Sequence, residues 1–546
     1  MRTSWARPAA AALVASALGM FGLSGAAQAS LLPAPPPSAT YVVSTLNAVG
    51  SALATSDVLA IGGTVLADLS VANGVAASLT PTEVSALQAT VGVVVTNDFA
   101  VSVSSTTTSS SRAPAAVFPQ STGAIQAWAA GDNGAGVGVA VVDTGIDNLP
   151  DFSGRLVGGV DLSGENNPLH DSYGHGTFVA GLIAGNGASS NGQYTGEAPG
   201  ATLISVKVAG ASGSTDLVTV IKGIQWVVSH RQTYNIRVLN LSLGAQPQSS
   251  TVKNPLDRAV ETAWNSGVVV VAAAGNAGPF NGTILSPGDD PLVVTAGGLD
   301  DNGTASSSDD TMTRFSSVGP TNPDGWIKPD LVTSGRSVVS LAAPGSTVYN
   351  NNPSALIGSG NFVGSGTSFS AAITSGAAAL VVQSAPSAKP DTVKGRLLGS
   401  TNPGPVGNPF VDGMGALNAW GAVKAGYSLT QNAPSAPTQM GATVSLQTSW
   451  AGSAWDNSNW SGAGWNGSAW DGSAWDGSAW DGSAWDGSAW DGSAWDGSAW
   501  DSGYWTGSAW DGSAWDGSAW DGSAWDGSAW DGSAWDGSAW DGSAWD

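Results

Sequence analysis

"GVGVAVVDTGID", residues 136–147, is the stretch on which the fold turns. Val137 to Val142 make a short, nearly continuous apolar run, and the chain passes straight from it into Asp143-Thr144-Gly145. A strand that is apolar without alternation belongs to a sheet covered on both faces. Working outward, strand and helix patterns take turns. "STDLVTVIKGIQWVVSH" (214–230) spaces its apolar residues as a helix does. "RVLNLSL" (237–243) and "VVVVAAA" (268–274) read as further buried strands. Between them, "NPLDRAVETAWNSG" (254–267) reads as a helix that Gly267 terminates. The alternation predicts an α/β domain over 118–427, a parallel sheet with helices on both faces. In such a sheet the cleft lies at the carboxyl ends of the strands.

Upstream, residues 1–29 have the form of a secretory signal: Arg2 and Arg7, an apolar stretch, then Ala27-Gln28-Ala29 as a cleavage site. Residues 30–103 read as a small α+β unit. Its strands are expected at "YVV" (41–43), "GVAASL" (74–79) and "VGVVVTN" (91–97), with a short helix in "SALATSDVLAIGG" (51–63). A second helix is expected in "TPTEVSALQAT" (80–90), with Thr80 as cap, Pro81 in the first turn and Glu83 closing a capping box. "SSTTTSSSRAP" opens a linker over 104–117 that has nothing to bury. A second linker is assigned to 428–449, and 450–546 is a "GSAWD" repeat in which tryptophan recurs every five residues.

The 546 residues contain no cysteine, so neither a disulfide scaffold nor thiol chemistry is available. The formal charge of −24 argues against nucleic acid and anionic lipid as partners. Sixteen aspartates lie after Trp450 without a lysine, arginine or glutamate, which leaves a mild −8 for the rest. Apart from the leader, no stretch is long and apolar enough to span a bilayer. The remainder reads as a monomeric extracellular protein. A period of five suits neither a helix face nor a strand face, so the repeat reads as a low-complexity tail. Its indoles would stack on sugar rings, which points to cell-wall or other polysaccharide as a contact.

Three stretches carry chemistry. Asp143 follows the buried strand, His175 opens a helix pattern in "YGHGTFVAG" (173–181), and Ser368 opens another in "GSGTSFSAAITSGAAAL" (364–380). A nucleophilic serine needs a base, and the base needs an orienting acid. Only three histidines exist. His230 lies near a helix end and His170 in a polar loop, whereas His175 has glycine on either side, which allows close approach. The order Asp, His, Ser is one of the known orders of this constellation. The aspartic-protease alternative needs a second Asp-Thr-Gly loop. The nearest match, Asp-Ser-Gly at Asp501, lies inside the repeat.

Taken together, "DTGID", "GHGTFVAG" and "GTSFSA" make the chain similar to the subtilisin-like serine proteases, the subtilases. "RFSSVGP" and "IKPDL" also resemble segments of that family. The resemblance implies a triad of Asp143, His175 and Ser368, and an oxyanion asparagine at Asn276 in "VVVVAAAGN". It implies substrate-pairing segments at Ser242, Leu243 and Gly244 and at Ala273 and Gly275. Leu285 would floor the first specificity pocket. Residues 30–103 resemble the family's inhibitory propeptide, so the chain's own N-terminal unit is an expected partner beside protein and peptide substrates. No cofactor is expected for catalysis, but Asp151 matches a structural calcium ligand of some relatives, with the remaining ligands drawn from "GNGASSNGQYTG" (185–196). Phe178, Phe369, Ala372 and Ile373 depart from residues frequent in the family, which bears on specificity. The rival reading is an inactive subtilase scaffold that adheres to surfaces through its tryptophan-rich tail.

Overall fold

The structure is a computed structural model that describes residues 38–46, 50–103, 116–358 and 360–425, with 472–473, 477–478, 499–501 and 506–509 of the repeat. The expected leader, most of the first linker, all of the second and most of the repeat lie outside the described residues.

The buried strand of the opening stretch runs Gly138–Asp143 at the middle of an eight-stranded sheet. In order across the sheet stand Thr311–Met312, Val294–Asp300, Val269–Ala273, Ile236–Leu241, Gly138–Asp143, Thr202–Lys207 and Leu156–Asp161. Leu331–Ser334 also pairs with Val294–Asp300. All pairings are parallel except that of the short Thr311–Met312. Every residue of Gly138–Asp143 and of Val269–Ala273 is buried, as a sheet covered on both sides requires. The helix His175–Ala184 is buried along its whole length, and Thr367–Ser384 is buried from Thr367 through Val382. These two helices pack on each other and on the sheet. Leu217–His230 and Pro255–Asn265 form a second pair, and each turns one apolar face inward.

The N-terminal unit is an antiparallel sheet in the order Thr64–Leu69, Gly74–Leu79, Ala39–Thr45, Val93–Asn97. The helices Ala52–Ala60 and Pro81–Gln88 accompany it. The capping box forms: Thr80 N donates to Glu83 Oε2 at 2.7 Å and Glu83 N donates to Thr80 Oγ1 at 3.4 Å. Alternation along Ala39–Thr45 divides the unit's allegiance. Val43 faces a local core with Ala54, Val58, Val75, Ala77, Leu79 and Leu87, while Val42 joins the main core of the larger domain. Polar contacts fasten this second face. Arg258 donates to the Thr45 carbonyl at 2.8 Å, and the Thr262 hydroxyl donates to the Val71 carbonyl at 2.7 Å.

Within residues 30–103, two strands escaped the sequence pattern. Thr64–Leu69 alternates between exposed and half-buried positions and ends at buried Leu69. Ala100–Val103 is too short to show a period, and its partners are distant in sequence. It lies antiparallel between Ser214–Asp216 and Leu243–Gly244, with Ser102 opposite Gly244 and Val101 opposite Thr215. In the repeat, Gly472–Ser473 pairs with Gly477–Ser478 and Ala499–Asp501 pairs with Thr506–Ala509.

Candidate active site

Three neighbouring strands deliver their carboxyl ends to one place. Asp143 ends its strand, Ser242 follows Leu241 directly, and Ala273 ends the next strand, ahead of Gly275 and Asn276. Asp143 is fully buried, and its two carboxylate oxygens lie 2.8 and 2.9 Å from His175 Nδ1. His175 Nε2 is buried and makes no hydrogen bond among the described residues. Gly174 takes φ 108°, so the chain turns sharply into the helix that His175 begins.

One side chain that sequence reasoning missed ties the acid and the imidazole into a single unit. Asp171, buried, accepts from the Thr144 hydroxyl and from Gly174 N and Thr177 N, each at 2.7 Å. The Thr144 hydroxyl also accepts from Gly176 N at 2.9 Å. Asp171 thereby satisfies helix-start donors and links the Asp143 loop to the His175 helix. Burial pushes the Asp171 carboxyl above its usual range, and the Asp143 charge adds to this. The Gly174 and Thr177 N–H groups pull it back. The Asp-x-x-Gly-His spacing at 171–175 carried this signal, because an aspartate a few residues ahead of a helix is a capping pattern.

Ser368 is the second residue of its helix. Its hydroxyl donates to the Ser242 carbonyl at 3.0 Å, and the Ser242 hydroxyl donates to the Ser368 carbonyl at 2.8 Å. A buried chain underlies this link: Ser375 Oγ donates to Asn240 Oδ1, and Asn240 Nδ2 donates to Ser242 Oγ, each at 2.9 Å. Asn240 and Ser375 look like ordinary interior residues in the sequence. The Phe369 ring stands 5.8 Å from the His175 ring and 4.4 Å from Phe178, so the two atypical phenylalanines form one wall beside the imidazole. With Gly364, Val348 and Tyr349 they line an apolar pocket that reaches His175.

Asn276 is half-buried. Its Oδ1 accepts from Thr367 N at 3.0 Å and from the Thr367 hydroxyl at 3.1 Å, while Gly275 N donates to Thr367 Oγ1 at 3.0 Å. Leu243 and Gly244 pair with the chain's own residues 102 and 103. His170 and His230 stand elsewhere. His170 is 3.3 Å from Asp147, and His230 stacks on Trp226 at 4.1 Å.

Asp151 is fully buried, and its carboxylate accepts from Ser189 N at 3.1 Å and from the Ser189 hydroxyl. The 185–196 loop is therefore fastened to it by hydrogen bonds. Among the described residues no group of three or more His, Asp or Glu side chains is placed to hold a metal ion. A lone, already bonded carboxylate is a poor fit to the several oxygen ligands that calcium takes.

A buried ionic cluster supports the loop that follows Leu285. Lys328 Nζ donates to the Val293 carbonyl at 2.9 Å and to Asp330 at 2.7 Å. Lys394 Nζ donates to the carbonyls of Pro291 at 2.9 Å and Val293 at 2.8 Å and lies 3.1 Å from Asp330. Burial lowers Lys394 to about 7, with Asp330 opposing the shift, whereas Asp330 is held below the carboxylate range by the two ammonium groups despite its burial.

A hydrogen-bonded acid and imidazole at the carboxyl edge of a parallel sheet, with a serine opening a helix nearby, is the layout of a nucleophilic hydrolase. The Subtilase family, Peptidase S8, matches residues 134–416. Over 295 residues, 53% of this chain and 66% of the relative, the sequence is 44% identical to serine protease AprX of Bacillus subtilis (strain 168). It is 34% identical over 298 residues to subtilisin NAT of Bacillus subtilis subsp. natto, covering 54% of this chain and 67% of that relative. The chain thus spans about two thirds of the length of these relatives. The fold is similar to fervidolysin from Fervidobacterium pennivorans, a keratinolytic enzyme related to subtilisin, with a TM-score of 0.55 and 23% identity over 74% of this chain and 63% of that one. The chain belongs to the subtilase family of serine proteases. No described helix is long and apolar enough to cross a membrane.

Proposed function

We propose that this chain is a secreted serine endopeptidase that hydrolyses proteins and peptides through an acyl-enzyme intermediate. The observation that carries this reading is the buried Asp143–His175 hydrogen bond, 2.8 Å long, beside the helix that Ser368 opens. His175 Nε2, without a hydrogen-bond partner among the described residues, is the atom that takes the Ser368 proton as the hydroxyl attacks the peptide carbonyl. Asp143 fixes Nδ1 as the protonated nitrogen and stabilises the imidazolium. The proton passes from Nε2 to the leaving amine, and water then releases the acyl group by the reverse of the same steps. Thr367 holds the Asn276 amide oxygen, which leaves the amide NH2 to donate to the oxyanion. The Ser368 backbone N–H, at a helix start, is the second donor. No step runs through a metal ion.

Residues 30–103 act as an inhibitory propeptide, and Ala100–Val103 occupies the strand position that a substrate takes between 214–216 and 243–244. Maturation then cuts the chain within 104–117, and the tryptophan-rich repeat holds the enzyme to cell-wall or other polysaccharide. Calcium stays a proposal of the family resemblance alone. Casein hydrolysis that a serine-directed fluorophosphonate abolishes is the decisive test. A purified secreted protein that neither cuts casein nor takes up the reagent would instead be a binding scaffold.

A further inference from the structure

The strands Ile236–Leu241 and Val269–Ala273 are parallel neighbours, and their continuations, 242–244 and 273–275, form the two sides of a slot beside Ser368. A peptide paired with Leu243 and Gly244, as residues 102–103 are, runs along one side of this slot. Its next side chain toward the catalytic serine is the one the slot must receive.

Both sides of the slot have a glycine, and one side chain fills the gap between them. A methyl group on Gly244 would stand 3.0 Å from Leu285 Cβ and 3.3 Å from its Cδ1. A methyl group on Gly275 would stand 2.6 Å from Leu285 Cγ and 2.9 Å from its Cδ1. A single leucine therefore touches both walls. Its backbone has little freedom to withdraw. Leu285 N donates to the Ala274 carbonyl at 3.0 Å, while Ser286 and Ala245 exchange two backbone hydrogen bonds of 3.0 Å. The Ser286 hydroxyl is anchored on buried Asp257 at 2.7 Å. Leu285 itself is only half-buried.

We propose that Leu285 makes this slot shallow and restricts cleavage to bonds that follow small residues: alanine, serine or glycine. This rests on the serine-protease reading above and names the substrate class of that same site. Aromatic side chains have no depth to enter, and a retreat of Leu285 would break the hydrogen bonds on both of its flanks. The chain's own sequence agrees, since Val103 is followed by Ser104-Ser105-Thr106. Three residues ahead of Ser104, Val101 is fully buried in the main core, which adds an apolar requirement at that distance from the bond.

The test uses the secreted, processed enzyme and peptide anilides with valine three positions ahead of a variable residue, that residue being Gly, Ala, Ser, Leu or Phe. The expected kcat/KM for Ala or Ser exceeds that for Phe by about 100-fold. In Leu285→Gly the Phe-to-Ala ratio rises at least about tenfold. Leu285→Ala gives a smaller rise in the same direction, and fluorophosphonate uptake counts the folded sites in each preparation. A wild-type preference for Phe, or a ratio that moves less than about twofold in both variants while sites still label, overturns the proposal and leaves the protease reading intact. Failure to cut any peptide together with failure to label overturns both.

Discussion

The two sheets of the molecule solve the burial problem differently. The parallel sheet has helices from its own domain and buries Gly138–Asp143 and Val269–Ala273 completely. The antiparallel sheet of the N-terminal unit completes a local core with only one face and lends the other, through Val42, Leu69, Val71, Ala72 and Ala76, to the larger domain. A unit of about sixty residues has little core to spare. The difference teaches that the small unit completes its burial only while docked and is expected to be marginal once released, whereas the larger domain has no such debt. That asymmetry suits the inhibitory role proposed for residues 30–103.

The largest expected effect keeps the two units joined. Ser368→Ala lowers turnover of casein and peptides by several orders of magnitude. The uncut chain should then be recovered with its N-terminal unit attached, by intact mass. Recovery of chain starting within 104–117 from pure Ser368→Ala material would mean that another protease, or another nucleophile, makes the cut. Next in size, Asn276→Ala should lower kcat by about 10²–10³ with little change in KM, as loss of an oxyanion donor does. A pure KM effect would place Asn276 in substrate binding instead.

A smaller effect bears on the docked face. Arg258→Ala removes the donor to the Thr45 carbonyl, and should weaken inhibition by added 38–103 peptide about tenfold. Circular dichroism should find that peptide largely unfolded alone and folded when bound. An independently folded peptide with unchanged affinity would erase the contrast between the two sheets.

The smallest effect sharpens the other side of the comparison. Glu197 is fully buried, and burial raises it to about 8, with the nearby Thr122 side chain opposing the shift. Asp257, Asp289 and Asp290, buried beneath the Leu285 loop, are raised in the same direction by burial, with mutual repulsion adding to the shift of Asp257 and Asp289. A raised carboxyl pKa favours the fold below the unfolded value, and that contribution is lost as pH climbs through the folded value. Melting temperature should therefore fall between about pH 5 and 9. Glu197→Gln should recover about 5 °C at pH 9 relative to the parent protein and nothing at pH 4. A pH-independent change would assign Glu197 to packing alone.

Much of the larger domain was legible because its signals are local. A continuous apolar run followed at once by Asp143, and helix patterns opened by His175 and Ser368, need no knowledge of distant partners. The capping box at Thr80 and Glu83 was readable for the same reason. What stayed hidden depends on residues that meet only in space. The Ser375–Asn240–Ser242 chain joins a helix to a strand more than a hundred positions away. Asp171 serves two loops at once, and Ala100–Val103 is a strand only by virtue of the two edges it lies between.

Lys328 and Lys394 both converge on Asp330 and on the carbonyls of residues 291–293, just beyond the loop that contains Leu285. Those two amino groups are part of the polypeptide. They cannot be dialysed away, captured by a chelator or exchanged for another ion in a metal-poor medium. The carbonyls of residues 291–293 are thus held by groups that travel with the chain, and the positions of those groups are set at folding.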